Sequence, residues 1–71
     1  MQPDISIVIP LYNEEESLPE LVAWIERVCS AHNYSHEVIM IDDGSTDNSW
    51  QVITDLAQQF PAVKAINFQR N

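Results

Sequence analysis

The chain has one glycine, one cysteine and three basic residues among its 71. Each shortage removes a class of function. A lone cysteine, Cys29, cannot build an internal disulfide framework. Arg27, Lys64 and Arg70 stand against 11 acids, giving a formal net charge of −8. Nucleic-acid binding needs a basic stripe to replace counterions, and there is none; an anionic membrane surface is disfavoured for the same reason. The longest apolar run, IVIPL at 7–11, is far too short to span a bilayer. The opening MQPD has neither the basic nor the apolar region of a signal peptide. Together these point to a cytoplasmic chain. So short a chain buries only about 60% of its unfolded surface, which leaves a free-standing α/β fold marginal unless something completes it.

What is present is a strict alternation of two patterns. ISIVI at 5–9 is β-branched and almost wholly apolar, as in a strand covered on both faces, with Pro10 expected to end it. Ser17 and Glu20 have capping-box spacing. Leu18, Leu21, Val22, Ile25, Val28 and Cys29 then follow a helical stripe running to about Ala31. EVIMI at 37–41 is a second buried strand. Ser45 or Thr46 is placed to cap a second helix, with Asp47 near its positive end, and Trp50, Ile53, Leu56, Ala57 and Phe60 form its stripe before Pro61. VKAINF at 63–68 is a third strand. The order β-α-β-α-β implies an α/β fold with a three-stranded parallel sheet, right-handed crossovers and strand order 3-2-1. That arrangement is half of a Rossmann-like, doubly wound domain, with ligands held beyond the carboxyl ends of the strands.

Two loops would meet such a ligand: PLYNEEES after the first strand and DDGSTDNS after the second. A dinucleotide fold needs a glycine-rich first loop so that a pyrophosphate can approach the helix. Here that loop has no glycine and three consecutive acids, Glu14, Glu15 and Glu16, so it opposes phosphate by bulk and by charge. An acidic rim with a tyrosine instead suits the uncharged end of a nucleotide. Tyr12 offers a face for base stacking, although a packing role fits it nearly as well. A carboxylate accepts hydrogen bonds from ring N–H groups and ribose hydroxyls. Uracil and guanine carry a ring N–H on the pairing edge, whereas adenine and cytosine do not, so an ionised acceptor favours U or G.

ISIVIPLYNEEESL, followed by EVIMIDDGSTDNS, resembles the N-terminal nucleotide-binding half of the family 2 glycosyltransferases, of GT-A fold. With FQRN at 68–71, the flavour is most similar to polyprenyl-phosphate hexose transferases and dolichol-phosphate mannosyltransferase. The resemblance covers residues 1–71 and implies roles. Pro10, Tyr12 and Glu14 match positions lining the nucleoside pocket, Ile41 a backbone contact, and Asp43 the acid that reads the base. Asp42 is then the structural member of the pair. For the parent protein the resemblance implies a UDP- or GDP-sugar donor, a lipid-phosphate acceptor, a place at the cytoplasmic face of the membrane, and a divalent Mg or Mn ion. The metal motif, catalytic base and acceptor site of that family lie after a further strand. None falls within this chain, so no catalytic or metal-binding residue is assigned in it and the chain alone is expected to be inactive.

Other residues read more plainly. A metal pair like that of response regulators is disfavoured, because no Asp follows the third strand. His32 and His36 lack a third ligand, Cys29 lies on an apolar stripe, Trp24 and Trp50 read as packing residues, and Arg70 as a solvated side chain. Placing both helices on one sheet face leaves the other uncovered, so a homo-oligomer or association through that face is expected. A non-catalytic, self-associating α/β fragment that binds no nucleotide is the alternative function.

Overall fold

The computed structural model describes residues 3–68. The elements run β1 (Ile5–Leu11), α1 (Leu18–Ala31), β2 (His36–Asp42), α2 (Ser49–Gln59) and β3 (Val63–Asn67). All strands are parallel, in the order β1-β2-β3, so β2 lies between the other two. The register begins with Ile5 opposite His36 and ends with Leu11 opposite Asp42.

Side-chain alternation along the strands decides where the core sits. On β2, Val38, Met40 and Asp42 are buried while Glu37, Ile39 and Ile41 are half-buried. Both helices cover the face that Val38 and Met40 share. Leu18, Val22, Ile25 and Cys29 from α1 meet Ile53 and Leu56 from α2 over Leu11, Val38, Met40 and Val63. The opposite face is open: Val8 is 57% and Ile66 47% exposed there. Its polar end is tied by Glu37, which accepts hydrogen bonds from the Ser6 hydroxyl at 2.6 Å and the Lys64 ammonium at 3.2 Å.

The helix ends differ from the sequence expectation. Ser17 does precede α1, but it makes no side-chain cap, so the capping box with Glu20 does not form. Its hydroxyl turns back instead to the Glu14 carbonyl at 3.2 Å. Likewise Ser45 and Thr46 do not cap α2, which starts at Ser49 after Asn48. Those two residues are engaged by the loop after β1, as described below. At the other end of α1 the chain closes in a Schellman turn. Asn33 takes φ +57°, its N–H reaches the Ser30 carbonyl at 3.2 Å, and the Tyr34 N–H reaches that of Cys29 at 2.9 Å.

Pro10 does not end β1. It pairs in register with Ile41, and the strand continues to Leu11. An edge strand tolerates proline because the missing N–H can face away from the ladder. The tryptophans are not core residues either: Trp24 is 55% and Trp50 36% exposed. Ser49, Ile53 and Leu56 form the buried line of α2, which turns Trp50 toward solvent. Phe68 is exposed, and the rest of FQRN, including Arg70, lies outside the described residues.

Candidate functional site

The site grows from the last rung of the β1–β2 ladder. Asp42, opposite Leu11, points to the helix side of the sheet and is only 2% exposed. Its carboxylate accepts the Ser45 N–H at 2.9 Å, which fixes the turn that follows. The next residue extends the ladder by one bond, the Asp43 N–H donating to the Leu11 carbonyl at 3.0 Å. On the far side, the Phe68 N–H donates to the Asp42 carbonyl at 2.8 Å. Asp43 therefore emerges where β1 and β2 stop. With Pro10, Leu11 and Tyr12 it lines an open pocket of about 200 Å³. Two adjacent carboxylates are thus parted, one into the fold and one to the rim.

Gly44 makes the turn possible by taking φ +74°. Beyond its chain neighbours, no atom lies within 4 Å of the position a Cβ would occupy, so the demand is conformational and not steric. Gly44→Ala is expected to cost about 1–2 kcal/mol, the left-handed penalty of an L-residue. A urea midpoint equal to that of the parent chain would contradict this.

Three of the five residues assigned from sequence come together here: Pro10, Tyr12 and Asp43. Ile41 lies directly across from Pro10 in the ladder, next to the pocket. Glu14 is elsewhere, in a neighbouring acidic cleft of about 350 Å³ formed by residues 13–17 and Asp47. Leu11 also lines the pocket, and nothing in an apolar strand marks its last member as a lining residue.

The two loops are joined by a lattice of hydrogen bonds that the sequence patterns did not reveal. The Asn13 N–H donates to the Ser45 hydroxyl at 2.9 Å. The Asn13 side-chain oxygen accepts the Thr46 N–H at 2.8 Å and the Asp47 N–H at 3.3 Å. The Glu14 N–H donates to the hydroxyl of fully buried Ser49 at 2.9 Å. The only sequence signal was the abundance of small polar residues in both loops. Small polar residues of this kind suit helix capping equally well.

Asp47 shows the electrostatic consequence. Hydrogen bonds from the Ser49 side chain, and then from the backbone of Ser49, Glu15 and Asp47 itself, hold its carboxyl below the usual 3.8 against a smaller cost of burial. A depressed carboxyl stabilises the fold above its unfolded value, and that contribution is lost as pH falls through the folded value. The amide resonances of Glu15 and Ser49 should therefore move together in acid, with a midpoint below 3.8. A midpoint above that value would contradict the assignment.

Among the described residues, no group of three or more His, Cys, Asp or Glu is arranged to hold a metal ion. The acids of the cleft do not fit the divalent ion that the family resemblance implies. Nor is any helix of the described residues long and apolar enough to cross a membrane.

A parallel β-α-β-α-β sheet with its polar loops gathered past the carboxyl ends of β1 and β2 defines a Rossmann-like half-domain. Residues 6–71 match the family described as glycosyl transferase family 2, and the chain belongs to that family. It is 47% identical over 68 residues to the undecaprenyl-phosphate 4-deoxy-4-formamido-L-arabinose transferase of Pseudomonas fluorescens (strain SBW25). The match covers 94% of this chain and 20% of that relative, so the chain spans about one fifth of the relative's length.

Proposed function

We propose that residues 1–71 are the nucleotide-binding part of a glycosyltransferase domain, and that the pocket at Pro10, Tyr12 and Asp43 holds the base of a UDP- or GDP-sugar. The observation that carries this reading is the parting of the two carboxylates. Asp42 is committed to the turn, while Asp43 shares a pocket with an exposed aromatic face. A ring N–H donating to the Asp43 carboxylate, with the base against Tyr12, uses both groups. Ile41 would offer a backbone contact beside Pro10. Glu14 would act at the margin, from the adjoining cleft.

Among the described residues there is little to meet the rest of the donor. Arg27 and Lys64 are the basic residues among those described, and Lys64 is paired with Glu37. A divalent Mg or Mn ion, held by residues outside this chain, would stabilise the leaving diphosphate when bound. This segment's share is to bind and orient the nucleoside.

In the whole protein we place the acceptor as polyprenyl phosphate, with the reaction at the cytoplasmic face of the membrane. The relative's name supports a lipid phosphate. That name carries an arabinose, a five-carbon sugar, so the transferred group need not be the hexose expected from sequence. The full-length protein, given labelled sugar nucleotides, should label polyprenyl phosphate. Transfer only to a soluble glycan would contradict the acceptor.

A second reading is a self-associating α/β fragment without nucleotide binding. It draws support from the open face bearing Val8 and Ile66. Binding of UDP or GDP separates the two.

A further inference from the structure

We propose that Asn13 is a positioning residue that holds Tyr12 and Asp43 at the separation a base requires. This inference rests on the nucleoside-site reading above. Asn13 is one of two non-glycine described residues with positive φ, at +53°. Asparagine tolerates that region better than most residues, and the bend it makes falls between Tyr12 of the pocket and Glu14 of the cleft.

The side chain then crosses to the other loop. Its oxygen accepts the Thr46 and Asp47 N–H groups at 2.8 and 3.3 Å, and its amide donates to the Thr46 hydroxyl at 3.2 Å. The Asn13 N–H meets the Ser45 hydroxyl at 2.9 Å. Ser45 is in turn held by the buried Asp42 carboxylate, also at 2.9 Å. A continuous path therefore runs from Asp42 through Ser45 to Asn13. Each wall of the pocket lies one residue from that path: Tyr12 precedes Asn13, and Asp43 follows Asp42. The buried carboxylate thereby acts on the ligand side indirectly, by fixing the loop that fixes Asn13.

Two substitutions separate backbone from side chain. Asn13→Gly keeps the left-handed bend but removes the oxygen that holds residues 46 and 47. Asn13→Asp keeps that oxygen and tolerates the bend. In the ligand-free chain, Asn13→Gly should shift the amide resonances of Tyr12 and Asp43 as well as those of Thr46 and Asp47, and Asn13→Asp should restore them. With nucleotide, Asn13→Gly should weaken UDP or GDP binding about tenfold, the scale of one or two neutral hydrogen bonds. It should also reduce the preference over ADP and CDP, which a general loss of stability would leave intact. Asn13→Asp should retain that preference. Unmoved Tyr12 and Asp43 resonances in Asn13→Gly, or an undiminished base preference, would overturn the proposal. If the parent chain binds no nucleotide while Asn13→Gly still displaces Tyr12 and Asp43, the nucleoside-site reading fails and the positioning role stands.

Discussion

Asp43→Ala is expected to weaken binding of UDP or GDP to the full-length protein by roughly 10- to 150-fold. That range is the ~1.5–3 kcal/mol of a hydrogen bond to a charged group. The expectation follows from geometry, since Asp43 lines the pocket beside Tyr12 and lies just past the last rung of the ladder. Asp43→Asn keeps an acceptor without the charge, so its loss should be smaller. Asp42→Asn keeps an oxygen for the Ser45 N–H and should change nucleotide affinity less than about threefold, because that side chain is buried on the helix side. Its effect should appear in stability. Calorimetric titration of the variants distinguishes the two roles. Equal losses of affinity from Asp42→Asn and Asp43→Asn would remove the division of labour between the carboxylates.

The second large effect concerns the fold. Ile53→Ala should destabilise the chain by about 2–5 kcal/mol, the range for truncating a large aliphatic side chain in a packed core. Ile53 is fully buried and joins α2 to the sheet cluster. A chain of 71 residues has on the order of 4–10 kcal/mol in all, so the variant should be largely unfolded under mild denaturant. Trp50→Ala is the control. Trp50 is the larger side chain but is 36% exposed and lies outside the core cluster, so its removal should cost less than that of Ile53. Urea midpoints would settle the ranking. A greater loss from Trp50→Ala than from Ile53→Ala would mean that the buried face of α2 is wrongly assigned.

Periodicity made the elements legible. Apolar spacing at Leu18, Val22, Ile25 and Cys29 could only form one face of a helix, and these four are its buried residues. The β-branched runs at 5–9 and 37–41 became β1 and β2, each slightly longer than its apolar core. Pro10 misled because a missing N–H matters only on the side that faces a partner strand, and a sequence does not show which strand lies at an edge. Trp50 misled for a related reason. It falls within the helical stripe by spacing, yet the buried line of α2 passes through Ser49, which shows no hydrophobic signal and is buried to accept the Glu14 N–H.

The candidate site was legible as composition but not as connection. Two acids ending an apolar run, and a tyrosine after a proline, marked the loops that meet beyond the strands. The bonds that join those loops were not visible, because Asn13, Ser45 and Thr46 are residues that cap helices equally well. Which use wins depends on the distance between loops some thirty residues apart in sequence, and the ladder register sets that distance. Glu14 illustrates the same limit. Its neighbour Asn13 turns the chain at φ +53°, and Glu14 then lines the acidic cleft instead of the pocket at Asp43.

The central claim is that this segment reads the base of a nucleotide through Tyr12 and Asp43. The most direct test is an amide chemical-shift titration of the isotope-labelled chain with UDP, GDP, ADP and CDP. UDP or GDP should bind with a dissociation constant of about 1 mM or weaker, near −4 kcal/mol, because Arg27 and the Glu37-paired Lys64 are the only Lys or Arg side chains among the described residues that could meet the phosphates. Shifts should centre on Leu11, Tyr12, Ile41 and Asp43, with weaker changes at Glu14, and ADP and CDP should bind less well. Preference for an adenine nucleotide, or shifts confined to the opposite end of the sheet around Ser35 and Pro61, would contradict the account.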